Sequence, residues 1–254
     1  MKKVFSFILL CVITLGISFS FVGCDNTPTY KKLMFMYNRT TYSDGANIVF
    51  NYGDAVDFNK ENVSFIGVGR VGQKDTVSVT DLTATYEYTS LGGTNYLPAN
   101  VIPFFEGTTS NAGCGIYRFT FTLSDATLQF TVTVVKADII NKLSLELFSD
   151  SDVISKTANN TYVINSADAS LIRWKISNMT DKESQQLGSY PELYVLTPQQ
   201  YQSAGNRENY NGTLVLALYV DVLGTPGEYY IYGKFAESGN YKGGNTNAIH
   251  VIVN

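Results

Sequence analysis

Two segments of this chain alternate apolar and polar side chains with a period of two, and each does so on both sides of a turn. The first, from Gly115, reads GIYRFTFTLSDATLQFTVTVVKA. Tyr117, Phe119 and Phe121 alternate with Arg118 and Thr120. After the turn Ser124-Asp125-Ala126-Thr127, Phe130, Val132 and Val134 alternate with Thr131 and Thr133. Successive side chains of a strand point to opposite faces, so this spacing predicts a hairpin with one apolar face. The second segment, from Gly227, reads GEYYIYGKFAESGNYKGGNTNAIHVIVN. Tyr229, Ile231 and Gly233 give a first strand, residues 237–247 a longer turn, and Ile249 and Val251 one face of a last strand. Both segments open Gly-x-Tyr, and Gly227 follows Gly115 by 112 residues, close to the roughly 100 residues of one sandwich domain.

The starts of the two blocks also echo one another: Lys32-Leu33-Met34-Phe35-Met36 and Lys142-Leu143-Ser144-Leu145-Glu146. In the first block, strands are predicted over 47–51, 63–68, 75–80 and 83–89. In the second, Ile172, Trp174 and Ile176 share one face of a strand, which makes Trp174 a core residue. The near-continuous apolar run TLVLALYVDV (213–222) predicts a central strand covered on both faces. Single helical turns are compatible with 57–62 and 198–205. Aromatic residues make up 13% of the chain and charged residues 16%, the composition of half-buried pleated sheet rather than of a disordered chain. The expected fold class is all-β: two tandem β-sandwiches over 31–136 and 138–254, joined at Lys136-Ala137-Asp138.

The closing pattern of Gly-x-Tyr, strand, turn and strand resembles the last two strands of bacterial immunoglobulin-like domains that occur in tandem on surface proteins. The resemblance covers about 25 residues of each block. It implies that the tyrosine packs into or caps the sandwich core. It also implies adhesive, spacer or carbohydrate-associated roles, without fixing any one activity.

The N-terminus supplies an address. Lys2 and Lys3 precede a run from Val4 to Val22 that carries no charge, and Asp25, Asn26, Thr27 and Pro28 follow. This is the layout of an export signal. A core helix would show a polar stripe, which the run lacks; a retained membrane span remains open on length alone. Phe21-Val22-Gly23-Cys24 resembles the bacterial lipobox, with Phe21 where leucine is usual. The resemblance implies residues 1–23 as a cleaved lipoprotein signal, diacylglycerol on Cys24, and 24–30 as a tether. Two acyl chains anchor stably where one does not. The formal charge is −4, and removal of Lys2 and Lys3 leaves −6. No basic stripe of the kind nucleic-acid binding needs is present.

Little in the chain points to catalysis. The single histidine, His250, lies in a strand pattern, and no set of His and Cys could ligate zinc. No phosphate-binding glycine loop opens a helix. With Cys11 in the signal and Cys24 lipidated, Cys114 has no partner for an intrachain disulfide and reads as inert. Ser149-Asp150-Ser151-Asp152 lacks the spacing of a calcium loop. Glu87, Glu106, Glu192 and Glu228 have no spacing that pairs two of them as in glycosidases. No metal or cofactor is expected. Tyr190, Tyr194, Tyr201 and Tyr210, within the polar stretch 188–212, are the candidate ligand-binding residues, weighed against simple packing on the sandwich.

These features suggest a non-enzymatic cell-envelope lipoprotein, exposed outside the cytoplasm, whose domains bind an extracellular protein or glycan or act as spacers. A glycan-binding lipoprotein using the loop tyrosines is the alternative. A glycoside hydrolase is a further one.

Overall fold

In a computed structural model the described residues are 29–56, 58, 63–99, 113–157, 159–187 and 190–254. The leader, Cys24, Glu106 and all of 57–62 but Phe58 lie outside them.

The chain is all-β, as the alternation predicts, and its described strands fall into four sheets. One sheet runs β2 (Thr40–Tyr42), β1 (Tyr30–Tyr37), β4 (Val63–Gly69), β5 (Lys74–Val77). A second runs β3 (Asn47–Asn51), β9 (Ala126–Val135), β8 (Gly115–Leu123), β6 (Thr83–Thr89), β7 (Leu97–Pro98). The largest runs β11 (Ile154–Lys156), β12 (Tyr162–Ile164), β18 (Ile249–Val253), β16 (Gly227–Phe235), β14 (Glu192–Leu196), β15 (Thr213–Val215), with β17 (Gly244–Asn245) beside β16. The smallest pairs β10 (Ser144–Phe148) with β13 (Arg173–Ser177). Among the described residues, the α-helices are α1 (Asp181–Leu187), α2 (Pro198–Ala204) and α3 (Leu218–Asp221).

The expected hairpin forms from β8 and β9 around Ser124-Asp125, where Ser124 takes φ 51°. A two-residue turn with positive φ matches the strands' right-handed twist, so β9 begins two residues earlier than the composition suggests.

The residues form two compact units, each discontinuous in sequence. The first comprises the described residues within Met1–Ala46, Lys60–Thr85 and Thr120–Phe130; the second, those within Asn47–Asn59, Tyr86–Phe119 and Thr131–Asn254. In the first unit, Phe35 of β1 stacks on Phe130 (4.5 Å between centroids, 15° between planes) and packs against Phe65 at 5.5 Å. Phe121 closes the cluster at 4.5 Å from Phe65. All four are essentially without exposed surface, as are Leu33 and Leu128. In the second unit the inner face of the largest sheet (Leu193, Ile231, Val251, Val253) packs with Leu145 and Leu147 of β10 and with Ile172.

Both Gly-x-Tyr motifs perform the same local task. The Tyr117 hydroxyl donates to the carbonyl of Gly113 at 3.1 Å, and the Tyr229 hydroxyl to that of Thr225 at 3.1 Å; each bond reaches back four residues. A tyrosine near the start of a late strand that bonds the backbone upstream is a recurrent corner of immunoglobulin sandwiches. Tyr117→Phe should lower stability by about 1 kcal/mol and the more exposed Tyr229→Phe by less, with the double variant additive in chemical denaturation.

Three expectations are corrected. The strand expected over 75–80 ends at Val77, because the Ser78 hydroxyl accepts from the Thr80 N–H at 3.3 Å and starts a 3-10 turn over Val79–Asp81. Residues 213–222 do not form one central strand: β15 covers three residues at the edge of the largest sheet, and α3 follows. The Asp221 carboxylate accepts from the N–H groups of Leu216 and Ala217, both at 3.0 Å, which turns the chain out of the ladder. Leu218, Val222 and Leu223 then reach the core through helical rather than strand spacing. Trp174 is half-buried rather than enclosed. β13 has a sheet partner on one side, and the ring's contact with Tyr190 is edge-on at 5.7 Å.

The helix α1 was not anticipated, although Thr180-Asp181-Lys182-Glu183 carries the capping-box pattern. The Glu183 N–H donates to Thr180 Oγ1 (3.3 Å), and the Thr180 N–H to Glu183 Oε2 (2.9 Å). Burial alone pushes the Glu183 carboxyl up, but the Lys142 ammonium at 2.7 Å and both Thr180 donors outweigh it and hold its pKa below the usual glutamate range. A depressed folded pKa gives stability that is present above the unfolded value and lost as pH falls through the folded one. Stability should therefore drop below about pH 4, and Glu183→Gln should flatten that part of the pH–stability curve.

Candidate functional site

The outer face of the largest sheet carries an unusual density of rings. Cross-strand register sets Tyr194 of β14 opposite Tyr232 of β16, and Tyr230 of β16 opposite His250 of β18. Residues two apart share a face, so these four lie on the side opposite the core. The helix α2 adds Tyr201. Its N-terminus is set by a full capping box, with Gln200 N–H donating to Thr197 Oγ1 and Thr197 N–H to Gln200 Oε1, and by Pro198 in the first turn. The following segment adds Tyr210.

The result is one continuous aromatic layer. His250 stacks on Tyr230 (4.5 Å, 5°), Tyr230 on Tyr201 (4.0 Å, 8°), Tyr201 meets Tyr210 at 5.9 Å, Tyr210 meets Tyr232 at 5.1 Å, and Tyr232 stacks on Tyr194 (5.4 Å, 18°). Tyr232 is buried, and its oxygen accepts from the Gly212 N–H at 3.2 Å. Burial raises the pKa of Tyr210, Tyr230 and Tyr232, while at Tyr194 the leading cause is its hydrogen bond to Glu192.

Of the four candidate tyrosines, Tyr194, Tyr201 and Tyr210 are brought together. Tyr190 is not: it stands 81% exposed, edge-on to Trp174. Sequence reasoning missed Tyr230, Tyr232 and His250. The signal for them was present in the alternation at 228–232, whose second face reads Glu, Tyr, Tyr.

His250 is held between two side chains, with Nε2 2.9 Å from Glu228 Oε1 and Nδ1 2.9 Å from Thr161 Oγ1. This resembles a hydroxyl–imidazole–carboxylate relay in composition. The Thr161 residue is 7% exposed, however, and a nucleophile must be open to its substrate. The arrangement fixes the imidazole against Tyr230. Glu192 and Glu228 both lie on this outer face. Glu192 pairs with Lys234, six residues along β16 from Glu228, which separates the two by roughly 20 Å along the strand, beyond the ~5–9.5 Å of paired glycosidase carboxylates. Glu87 is bound to Arg118 at 3.1 Å.

Beside the layer a pocket of about 360 Å³ is lined by Asp138, Ile140, Arg207, Glu208, Tyr210, Lys234 and Gly243–Asn245. Arg207 is engaged by Asn141 and, at 3.3 Å, by Glu208. The Glu208 carboxyl lies below the usual range because its own backbone N–H and Arg207 favour the anion, the reverse of what a general acid needs. Asn245 Nδ2 donates to the Arg207 carbonyl at 2.9 Å, whereas the buried Asn245 Oδ1 has no hydrogen-bond partner. A second pocket, about 400 Å³, lies on the α2 side and is lined by Leu196, Gln200, Ser203, Ala204, Asn209 and Asn211. Tyr210 lines the first pocket and its neighbours Asn209 and Asn211 the second, so this short segment is the ridge between them.

Cys114 is half-buried. Its N–H donates to Asn240 Oδ1 at 3.0 Å, and burial raises its thiol pKa, which removes thiolate reactivity near neutral pH. Among the described residues no group of acidic, histidine or cysteine side chains could hold a metal ion, and no helix is long and apolar enough to cross a membrane.

No family model matches the chain, and no curated protein does. Among solved structures it is similar to Sidekick-1 immunoglobulin domains 1-5, at 11% identity and a TM-score of 0.17, over 87% of this chain and 38% of that one. The chain thus spans well under half the length of that structure.

Proposed function

We propose that this protein is a non-enzymatic binding module of the cell envelope, held to a membrane by lipid on Cys24, and that its ligand is a saccharide taken at the pocket beside Tyr210. The observation that carries the reading is a pocket that sets one ring, Tyr210, beside Asn245, whose buried Oδ1 has no hydrogen-bond partner among the described residues. An unmet buried acceptor costs about 1–3 kcal/mol, and a hydroxyl hydrogen from a ligand would recover it. The Asp138 carboxylate and the Lys234 ammonium line the same pocket and offer further acceptor and donor groups. A tyrosine face suits the C–H face of a sugar ring, and a few placed polar groups around it are the usual composition of a small-ligand site. The buried Thr161 hydroxyl and the separated Glu192 and Glu228 support a binding rather than a hydrolytic role.

The test is a glycan array probed with the chain from Asp25 onward. Binding should fall about tenfold or more in Tyr210→Ala. Gly244→Val should have the same effect by filling the pocket, since a Cβ there meets nothing nearer than Ile140 at 3.6 Å and leaves the backbone undisturbed. Tyr201→Ala, which removes the ring supporting Tyr210, should weaken binding too. If no glycan is retained, or if Gly244→Val binds unchanged, the saccharide reading fails and a spacer role is what remains.

A further inference from the structure

We infer that one end of the first unit is a docking face for a membrane surface rich in anionic headgroups. The inference rests on the acyl anchor at Cys24 proposed above. Cys24 stands five peptide steps before Thr29, a length that spans at most ~18 Å even fully extended. A surface that holds the acyl chains therefore lies within that reach of Thr29.

The same end gathers positive charge. Thr29, Tyr30, Lys31, Arg70 and Asp125 line one pocket of about 330 Å³, so the start of β1, the β4–β5 turn and the β8–β9 turn meet there. Register sets Lys32 opposite Val68, and Val68 opposite Lys74, in one row across three strands. An irregularity between Tyr30 and Lys32 shifts the pleat, so that Lys31 and Lys32 are both exposed instead of alternating. Against these four cations stand Asp125 in the pocket, Asp75, which accepts the Tyr30 hydroxyl, and Asp81, the other carboxylate acting on that hydroxyl. Asp25 of the tether adds a fourth carboxylate, so what this end offers is a local cluster of four exposed cations, not a net charge, in a chain that carries −6 once Lys2 and Lys3 are removed. At the tip of the β4–β5 turn, next to Arg70, Val71 is 91% exposed. It is an apolar side chain that the fold itself gives no cover.

Cations close to an anionic leaflet are attracted strongly only within about a Debye length, ~8–10 Å. A tether of five steps permits that approach. The two acyl chains alone suffice to hold the protein on the membrane, so what a basic face beside them adds is attraction of this end to the surface. It would also fix orientation, with Val71 entering the headgroup layer and the Lys32–Lys74 row lying along it.

The test places the full lipidated protein on vesicles of phosphatidylcholine, alone or with roughly a third phosphatidylglycerol, and labels lysines with an amine-reactive reagent. Lys31, Lys32 and Lys74 should be labelled about threefold less on the anionic vesicles, with recovery at high salt. In an Arg70→Glu, Lys31→Glu variant, the protection of Lys74 should disappear. Equal labelling on both compositions, or protection of Lys74 that persists in the Arg70→Glu, Lys31→Glu variant, overturns the inference. If the protein floats with neither vesicle, the Cys24 anchor is absent and the docking face falls with it, whereas saccharide binding is read independently on the array.

Discussion

Phe35→Ala should cost the first unit about 3–5 kcal/mol, the range for emptying a fully buried aromatic site. Phe35 has no exposed surface; it stacks on Phe130 and packs against Phe65, which in turn packs against Phe121. Rings so enclosed leave a cavity that the rigid β1–β4 ladder cannot collapse to fill. A loss of this size is comparable with the whole stability of many single domains, so the urea midpoint should fall far below that of the parent chain. Phe35→Leu, which keeps most of the volume, should cost much less. If Phe35→Ala lowered stability by under about 1 kcal/mol, the aromatic cluster would not be what holds this unit together.

Tyr232→Ala is expected to have the second large effect, again about 3–5 kcal/mol, and it should also abolish ligand binding. Tyr232 is 1% exposed and joins Tyr194 to Tyr210, so its loss removes the floor on which Tyr210 rests. Tyr232→Phe separates packing from hydrogen bonding. It keeps the ring and leaves the Gly212 N–H without the acceptor it has at 3.2 Å, which should cost about 1–3 kcal/mol if that donor stays buried. Differential scanning calorimetry reads both. Equal costs for Ala and Phe would show that the hydrogen bond, not the stack, is what matters at this position.

The candidate site was partly legible in the sequence. The stretch 188–212 announced itself by four tyrosines in polar surroundings, and three of them do converge. Tyr190 shows why proximity in sequence was insufficient: it precedes β14, so no ladder directs it onto the aromatic face, and it stands beside Trp174 instead. Tyr230, Tyr232 and His250 come from the closing hairpin, which the sequence presents as structural. Their role follows from β14 pairing with β16 in the register Tyr194↔Tyr232, and the order of strands in a sheet leaves no trace in local periodicity. Asn245 could not have been singled out at all, because an unmet acceptor is defined by what surrounds it.

What the sequence determined by itself was local. The period-two alternation located the strand at 83–89 to the residue, and the hairpin β8–β9 nearly so, because the choice of face is made one residue at a time. Recurrence of Gly-x-Tyr fixed two equivalent corners, because the hydroxyl reaches a carbonyl only four residues away. Tertiary structure alone decided the partners. The parallel pairings of β3 with β9 and of β12 with β18 join segments distant in the chain, and no turn chemistry encodes them. The fate of 213–222 was likewise settled by its place at a sheet edge. An apolar run states that surface must be buried, but whether it is buried as strand or as helix depends on which neighbours are there to cover it.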